Sequence, residues 1–452
     1  MCGIYATNIK YKKNEVEHKL ASINYRGPDN TGITTIKDVI LGHLRLSIID
    51  LDQRSNQPLK YEHLHITFNG EIYNFIEIRN ELLSVGYSFQ TESDTEVLLI
   101  GYVHWGRDLL SKINGMFAFC IYDSIKNELF CARDRLGVKP FYYYWNEGNF
   151  EICSQIRPLI NTQSTINSEA INSYLDCGYI PSPLSILENV NKLQPGKYLV
   201  INLNQKTLNL FCYWDLKRKP LKKISYKKAK IEVHELIKDA VKIRMQSDVP
   251  LGSFLSGGID SALVTSIASN ISNEKVNTFS IGFSDQKFDE SKIAEKYAEI
   301  LNTKHTTIIC KPEDILALIK NHQYVYDEPF ADSSALPSML LNKVTKQYVT
   351  VALSGDGGDE SFMGYNYFAV LKKYRFLFLL PRAIKSFLFN KFTLPIFNRI
   401  KNVPINLLDI YGVNNYVVEY FTGFHSLQKN KNKNWYQYFN NYLNKSNNYL
   451  QR

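Results

Sequence analysis

Cys2 is the residue whose type and position say most about chemistry in this chain. A thiol attacks an amide only when something takes its proton. A cysteine that becomes the first residue after loss of Met1 carries its own base, because an α-amine of pKa about 7.7–8.0 is partly free at neutral pH. The second feature is Ser256-Gly257-Gly258-Ile259-Asp260-Ser261, which follows the apolar run 251–255 and precedes Ala262-Leu263-Val264. Two glycines let backbone N–H groups converge on an anion at the positive end of the next helix, with Ser256 and Ser261 as further donors. Gly-Lys-Ser/Thr is missing, so this is not a Walker A loop. Asp260 beside a phosphate calls for a cation between them, and Mg²⁺ is expected. Residues 351–360 repeat the pattern of a strand followed by an acidic glycine turn, placing Asp359 where it can share the ion. One peptide suited to opening an amide and another suited to ATP predict ATP-driven nitrogen transfer.

The elements around these peptides fall into two styles. Before about residue 211 the pattern is short strands, turns and a few helices. A strand over 64–68 runs into Asn69-Gly70, and Ile78, Leu82 and Val85 give a helical spacing over 74–85. Ser93 with Glu96 three residues on reads as a capped helix start. Segments 116–122 and 129–132, then 142–145 and 150–153, read as hairpins around polar turns. That mixture predicts α+β with antiparallel sheets. A lysine-rich stretch follows, and 212–225 is the expected linker between a domain over 2–211 and another over 226–452. Beyond it strands (251–255, 276–281, 305–309, 348–353) alternate with helices (260–268, 289–301, 313–326, 335–346). Alternation of this kind predicts a parallel, doubly wound α/β sheet with ligands at the C-terminal strand ends. Residues 366–452 are aromatic, rich in Asn and Lys, and expected to be helical.

Composition narrows the function classes. A chain of 452 residues suits two or three domains, and 44% hydrophobic residues supply substantial cores. The charge of +9 is spread over lysines without an arginine-dense tract, which argues against nucleic acid as a partner. Seven cysteines, none at C-x-x-C spacing, imply neither a disulfide framework nor a zinc site. With no secretory leader and no uninterrupted apolar span, a soluble, cytoplasmic protein without a membrane partner is expected.

Five motifs occur in order: Cys2-Gly3-Ile4, Tyr25-Arg26-Gly27-Pro28-Asp29, His43 through Asp50, Asn69-Gly70-Glu71-Ile72-Tyr73-Asn74, and Ser93-Asp94-Thr95-Glu96. Together they resemble the class II glutamine amidotransferase domain, whose fold is the αββα sandwich of N-terminal nucleophile enzymes. The resemblance implies that Cys2 attacks the glutamine amide, with Asn69 and Gly70 as oxyanion hole. It implies that Arg45 holds the α-carboxylate and Asp94 the α-ammonium, with Glu71 and the backbone near Ile48 lining the pocket. The two glycine loops resemble the pyrophosphate-loop ATP pyrophosphatase (adenine nucleotide hydrolase-like) domain of glutamine-hydrolysing asparagine synthetases. By that resemblance Leu255, Ile281, Ser354 and Gly355 hold the adenosine part, while Ser256, Gly257, Gly258 and Ser261 cradle phosphate. Asp260 and Asp359 hold Mg²⁺-pyrophosphate, and Asp356 serves acyl-adenylate formation. The partners implied are glutamine, ATP and a carboxylate acceptor, aspartate by default. A sugar acid is the alternative acceptor, and a glutamine or nucleotide sensor or a glutaminase alone are the alternative activities. Residues 327–335 (Asp-Glu-Pro-Phe-Ala-Asp-Ser-Ser-Ala) lie where the acceptor is expected. The family's closing Arg-x-Pro-Phe-Leu-Asp motif does not occur, so a chain truncated at its C-terminus, a separate C-terminal fragment and a homodimer are further expectations.

Overall fold

The computed structural model describes residues 1–217, 222–287 and 289–373. The chain divides into two compact units. The first comprises Met1–Ala170, Pro181–Glu328 and Ser333–Ser361; the second comprises Ile171–Ile180, Pro329–Asp332 and Phe362–Arg452.

Alternating apolar strands in the first 212 residues pair into two six-stranded antiparallel sheets. One has the order β10(Val190–Lys192), β8(Tyr142–Asn146), β9(Asn149–Cys153), β1(Gly3–Thr7), β3(Val39–Arg45), β2(Asn30–Ile36). The other runs β12(Thr207–Cys212), β11(Lys197–Asn202), β7(Glu128–Arg133), β6(Gly115–Asp123), β5(Leu64–Ile72), β4(Leu59–Tyr61). Facing residues such as Ile4, Leu41, Ala118, Tyr122 and Phe150 fill the space between the sheets. Outside the second sheet, α2(Phe75–Ser84), α3(Asp94–Trp105) and α4(Leu109–Lys112) bury Leu82, Leu98 and Leu109 against Phe119 and Phe130. Tyr102 stacks on Phe130 at 5.0 Å, and truncating Phe130 to alanine would cost about 3–5 kcal/mol. Outside the first sheet, α1(Lys13–Ala21) buries Val16 and Leu20 on Tyr5 and Leu44. The result is the four-layer αββα sandwich.

Past β12 the topology changes as the sequence rhythm predicts. Strands β15(Lys304–Cys310), β14(Asn277–Phe283), β13(Leu251–Phe254) and β16(Val351–Leu353) form a parallel sheet in that order. On one face pack α6(Tyr226–Arg244), α7(Ile259–Ile271) and α8(Ser291–Ile300). On the other, α9(Pro312–Tyr326) and α10(Ala335–Thr345) cover Ile281, Ile308 and Cys310. Helices cover both faces of the parallel strands, which bury the small hydroxyl residues Ser253, Thr278 and Ser280 beside Phe279 and Ile308. A short α11(Gly358–Phe362) begins in the second glycine loop.

In the second unit, α5(Ser168–Cys177), which starts in the first unit, ends at Gly178 (φ 78°), and the Gly178 carbonyl accepts the Ala331 N–H at 2.8 Å. Of the helix expected over 366–452, the described residues contain α12(Asn366–Lys373); the remainder lies outside them.

Three elements differ from expectation. Asn69 and Gly70 sit inside β5 rather than at its end, paired with Ala118 and Phe117. β16 starts at Val351, not 348, because the N–H groups of Tyr348 and Val349 close the turn of α10 onto Thr345. Ser93 caps α3 by accepting the Thr95 N–H at 3.0 Å, but Glu96 does not reciprocate. Its carboxylate accepts N–H groups of Gln90 and Thr91 instead. No helix among the described residues is long and apolar enough to cross a membrane.

Candidate active site

The first strand delivers Cys2 to the mouth of the sandwich, where a cavity of about 210 Å³ opens. Cys2, Arg45, Ile48, Asn69, Gly70, Glu71 and Asp94 all line it, so every sequence-predicted residue of the glutamine pocket converges there. The Cys2 main chain is fixed by Arg26, whose Nε donates to the Cys2 carbonyl at 2.9 Å. The Cys2 sulfur lies 3.4 Å from the Leu46 nitrogen and accepts its N–H. Burial pushes the thiol pKa up, while that N–H and the charge of Lys139 pull it down. Met1 is 52% exposed overall, but its amino group faces inward. Desolvation pushes that amine down to about 5, and the cations Lys139 and Arg26 act in the same direction.

Asn69 is 1% exposed, and both its side-chain amide atoms lack a hydrogen-bond partner. Leaving such groups unmade in a core costs about 1–3 kcal/mol each. A buried amide aimed into a cavity is the mark of a group waiting for a ligand oxygen. Gly70 cannot carry a side chain, since a Cβ there would collide with the Met116 carbonyl.

The rim is built by the second and third motifs. The Asp29 N–H donates to the Arg45 carbonyl (3.0 Å), and the Asp29 carboxylate accepts the Ser47 N–H (2.8 Å). The Arg45 guanidinium, 5% exposed, donates to the carbonyls of Asp50 and Asp52 and to Asn56. Asp94 opens α3 and accepts the Ile72 N–H at 2.9 Å. Burial, reinforced by Glu71, pushes its carboxyl up to about 7. Burial raises Glu71 as well. Two carboxyls held in reserve beside a thiol suit a cationic ligand group.

Lys139 is a cavity residue that sequence reasoning missed. It is 5% exposed, and burial lowers its pKa against the pull of Glu71. Its loop is rigid: the Asp134 carboxylate accepts four N–H groups, from Phe117, Leu136, Val138 and Lys139. Arg133 binds the Lys139, Gly137 and Leu193 carbonyls. The signal was present in Arg133-Asp134-Arg135-Leu136-Gly137-Val138-Lys139, but a basic turn has no unique chemistry on its own. Arg26 carried a motif but no assigned role.

The glycine loops meet at the C-terminal ends of β13 and β16. Ser256 and Ser261 share a hydroxyl bond (2.8 Å), and Ser256 Oγ accepts the Gly258 N–H (3.1 Å). The Gly257 N–H donates to the Glu290 carboxylate at 3.1 Å. A Cβ on Gly355 would stand 2.7 Å from the Ser261 nitrogen, and one on Gly358 would collide with the Asp260 carboxylate, so the two loops touch. Ser354 donates to Asp356 at 2.9 Å. Burial raises the Asp260 pKa, and the carboxylates of Asp359 and Glu360 raise it further. Mutual repulsion among hard oxygen donors fits a divalent cation. Among the described residues no group of three or more His, Cys, Asp or Glu forms a protein-only metal cage. Mg²⁺ rarely needs one, since phosphate oxygens and waters complete its shell. Leu255 and Ile281 stand apart from this polar cluster. The Leu255 side chain is buried against Ala294 and Ala298, and Ile281 packs towards α9 and α10.

Asp327 and Glu328 are occupied structurally. Asp327 pairs with Arg157 (2.8 Å) and accepts the Ile156 N–H (3.1 Å). Glu328 pairs with Lys192 (2.5 Å) and accepts from Tyr142 (3.1 Å). Both carboxylates tie the end of α9 to the sandwich.

A thiol pocket of the N-terminal nucleophile type beside paired glycine loops on a parallel sheet defines a class of amidotransferases that couple glutamine to nucleotide chemistry. A glutamine amidotransferase domain family matches residues 1–214, and an asparagine synthase family matches residues 232–417. The chain is 38% identical over 419 residues to a protein of Methanocaldococcus jannaschii named a putative glutamine-hydrolysing asparagine synthetase 2, covering 85% of this chain and 79% of that one. It is 38% identical over 377 residues to glutamine-hydrolysing asparagine synthetase 1 of Bacillus subtilis, covering 81% and 59%. Amidase chyE of Penicillium rubens is 30% identical, covering 78% and 55%. The chain thus spans under two thirds of the length of these last two. It belongs to the glutamine-hydrolysing asparagine synthetase family, whose members are ATP-dependent glutamine amidotransferases.

Proposed function

We propose that this chain hydrolyses glutamine at Cys2 and delivers the ammonia to a carboxylate activated by ATP, with aspartate as acceptor and asparagine as product. The observation that carries the reading is the buried, unpartnered amide of Asn69 in the same cavity as Cys2. After loss of Met1, the Cys2 α-amine takes the thiol proton. Sulfur attacks the amide carbon, and the developing oxyanion finds the Asn69 amide and the Gly70 N–H. Ammonia leaves, and water releases glutamate from the thioester. Arg45 and Asp94 hold the amino-acid end of glutamine, with Ile48 and Glu71 along the wall.

At the second site the acceptor carboxylate attacks ATP, pyrophosphate leaves, and ammonia displaces AMP from the acyl-adenylate. The loop of Ser256, Gly257, Gly258 and Ser261 would bind phosphate, with the backbone of Leu255, Ile281, Ser354 and Gly355 around the adenosine. Mg²⁺ held by Asp260 and Asp359 would offset phosphate charge, and Asp356 would orient the activated carboxyl.

Glutamate release from glutamine alone tests the first half, and loss of that release in Cys2→Ala is the expected result. Pyrophosphate release dependent on aspartate tests the second. Release dependent on a sugar acid would move the acceptor. Glutamate without pyrophosphate would favour hydrolysis alone, a reading to which the relatives named amidases lend weight.

A further inference from the structure

Asp248 lies outside the glutamine cavity, three residues before β13, yet it grips the cavity's rim twice. Its N–H donates to the Ile48 carbonyl at 3.0 Å. Its carboxylate accepts the Asp50 N–H at 2.7 Å. Asp50 is in the left-handed region (φ 52°), which Asp enters more readily than most residues when its side chain finds local hydrogen bonds. The Asp50 carbonyl accepts from Arg45, and its carboxylate accepts from Ser55 and the Glu92 N–H. Two residues along from Asp248, the Pro250 carbonyl accepts the N–H groups of Thr350 (3.0 Å) and Val351 (3.4 Å). Thr350, Val351 and Ala352 also form part of the cavity wall. Strands β13 and β16 pair directly and end at the two glycine loops.

We propose that Asp248 is a positioning residue through which glutamine occupancy and nucleotide binding influence each other; this rests on the glutamine reading of the Cys2 cavity. A glutamine carboxylate on Arg45 competes for the guanidinium that also holds the Asp50 carbonyl. Any adjustment of Asp50 moves the acceptor of its own N–H, which is the Asp248 side chain. Asp248 then passes it to Pro250 and from there to the roots of both loops. The path runs through hydrogen bonds from Arg45 to Asp50 and from Asp50 to Asp248, along two peptide bonds to Pro250, and through hydrogen bonds again to Thr350 and Val351. Coupling of this kind is reciprocal by thermodynamic necessity.

The test uses the full chain in the Cys2→Ala background, which keeps glutamine intact. Calorimetry gives the Kd of ATP, with magnesium, in the presence and absence of saturating glutamine. The expected ratio is about fivefold, with the same factor for glutamine when ATP is added second. Adding Asp248→Ala brings the ratio to one, whereas Asp248→Asn, whose amide oxygen still accepts the Asp50 N–H, retains it. Ammonia-driven pyrophosphate release by Asp248→Ala in the Cys2 protein stays at the parent rate, which a merely structural role would not allow. Should the alanine protein fail to fold, Asp248→Ser, too short to reach Asp50, replaces it. A ratio of one before Asp248 is altered, or a ratio that survives Asp248→Ala and Asp248→Ser, overturns the proposal. Failure of Cys2→Ala to bind glutamine, together with no glutamate from the parent protein, overturns the glutamine reading itself and this proposal with it.

Discussion

The two reactive regions of this chain differ in how finished they are. The Cys2 cavity is walled and leaves a polar side chain unpaired: Asn69 has no partner, and burial pushes the Asp94 carboxyl up to about 7. The glycine loops have protein partners for their serines and for backbone N–H groups. Ser256 bonds Ser261, and the Gly257 N–H rests on Glu290. The sandwich thus leaves an amide unpaired at a cost in stability, while the glycine loops of the parallel sheet touch one another and bond to Glu290.

The largest effect expected from breaking this comparison is at Asn69. Asn69→Ala should lower kcat for glutamate release by about 10²–10³ with little change in melting temperature, because the side chain makes no bond to lose. A drop in stability equal to that of a core truncation would show a structural role instead. Asp260→Asn comes next. It should cut pyrophosphate release at least tenfold at fixed magnesium, by about the weight of one charged ligand, and leave glutamate release untouched.

Asp94 sharpens the contrast through pH. Its pKa is raised to about 7, so it ionises only as pH climbs through that value. Binding of the glutamine ammonium favours the ionised form, and KM for glutamine should rise as pH falls below 7. A raised folded-state pKa also means that the ligand-free protein loses stability as pH rises from the usual carboxyl value of 3.8 to about 7. Asp94→Asn should therefore melt higher than the parent at pH 8 and bind glutamine poorly. A flat KM between pH 6 and 8 would contradict this. Glu290→Gln gives the smallest change, tightening ATP several-fold by removing a carboxylate from the Gly257 N–H, as an anion competing with phosphate should. Unchanged affinity would show that the phosphate binds elsewhere.

Legibility in the sequence followed the same divide. Strand and helix alternation made the parallel sheet readable, because period and turn glycines survive without tertiary help. The convergence of Cys2, Arg45, Asn69 and Asp94 was readable from motifs in order. Their geometry was not. Asn69-Gly70 looks like a turn and is a strand, since pairing with β6 overrides the local preference. Lys139 and Arg26 were illegible as site residues because their roles arise from burial beside Cys2, which a lone basic residue does not announce. Asp327 and Glu328 looked like acceptor contacts, and their pairing with Arg157 and Lys192 depends on partners over a hundred residues away.

The central claim is that the Cys2 sulfur is the nucleophile and its own α-amine the base. Treating the active protein with an electrophilic glutamine mimic, then sequencing the modified peptide by mass spectrometry, tests both parts together. A single adduct on a peptide that begins with Cys2, blocked by excess glutamine, is the predicted result. Full turnover by protein that retains Met1, or an adduct on any other residue, would contradict it.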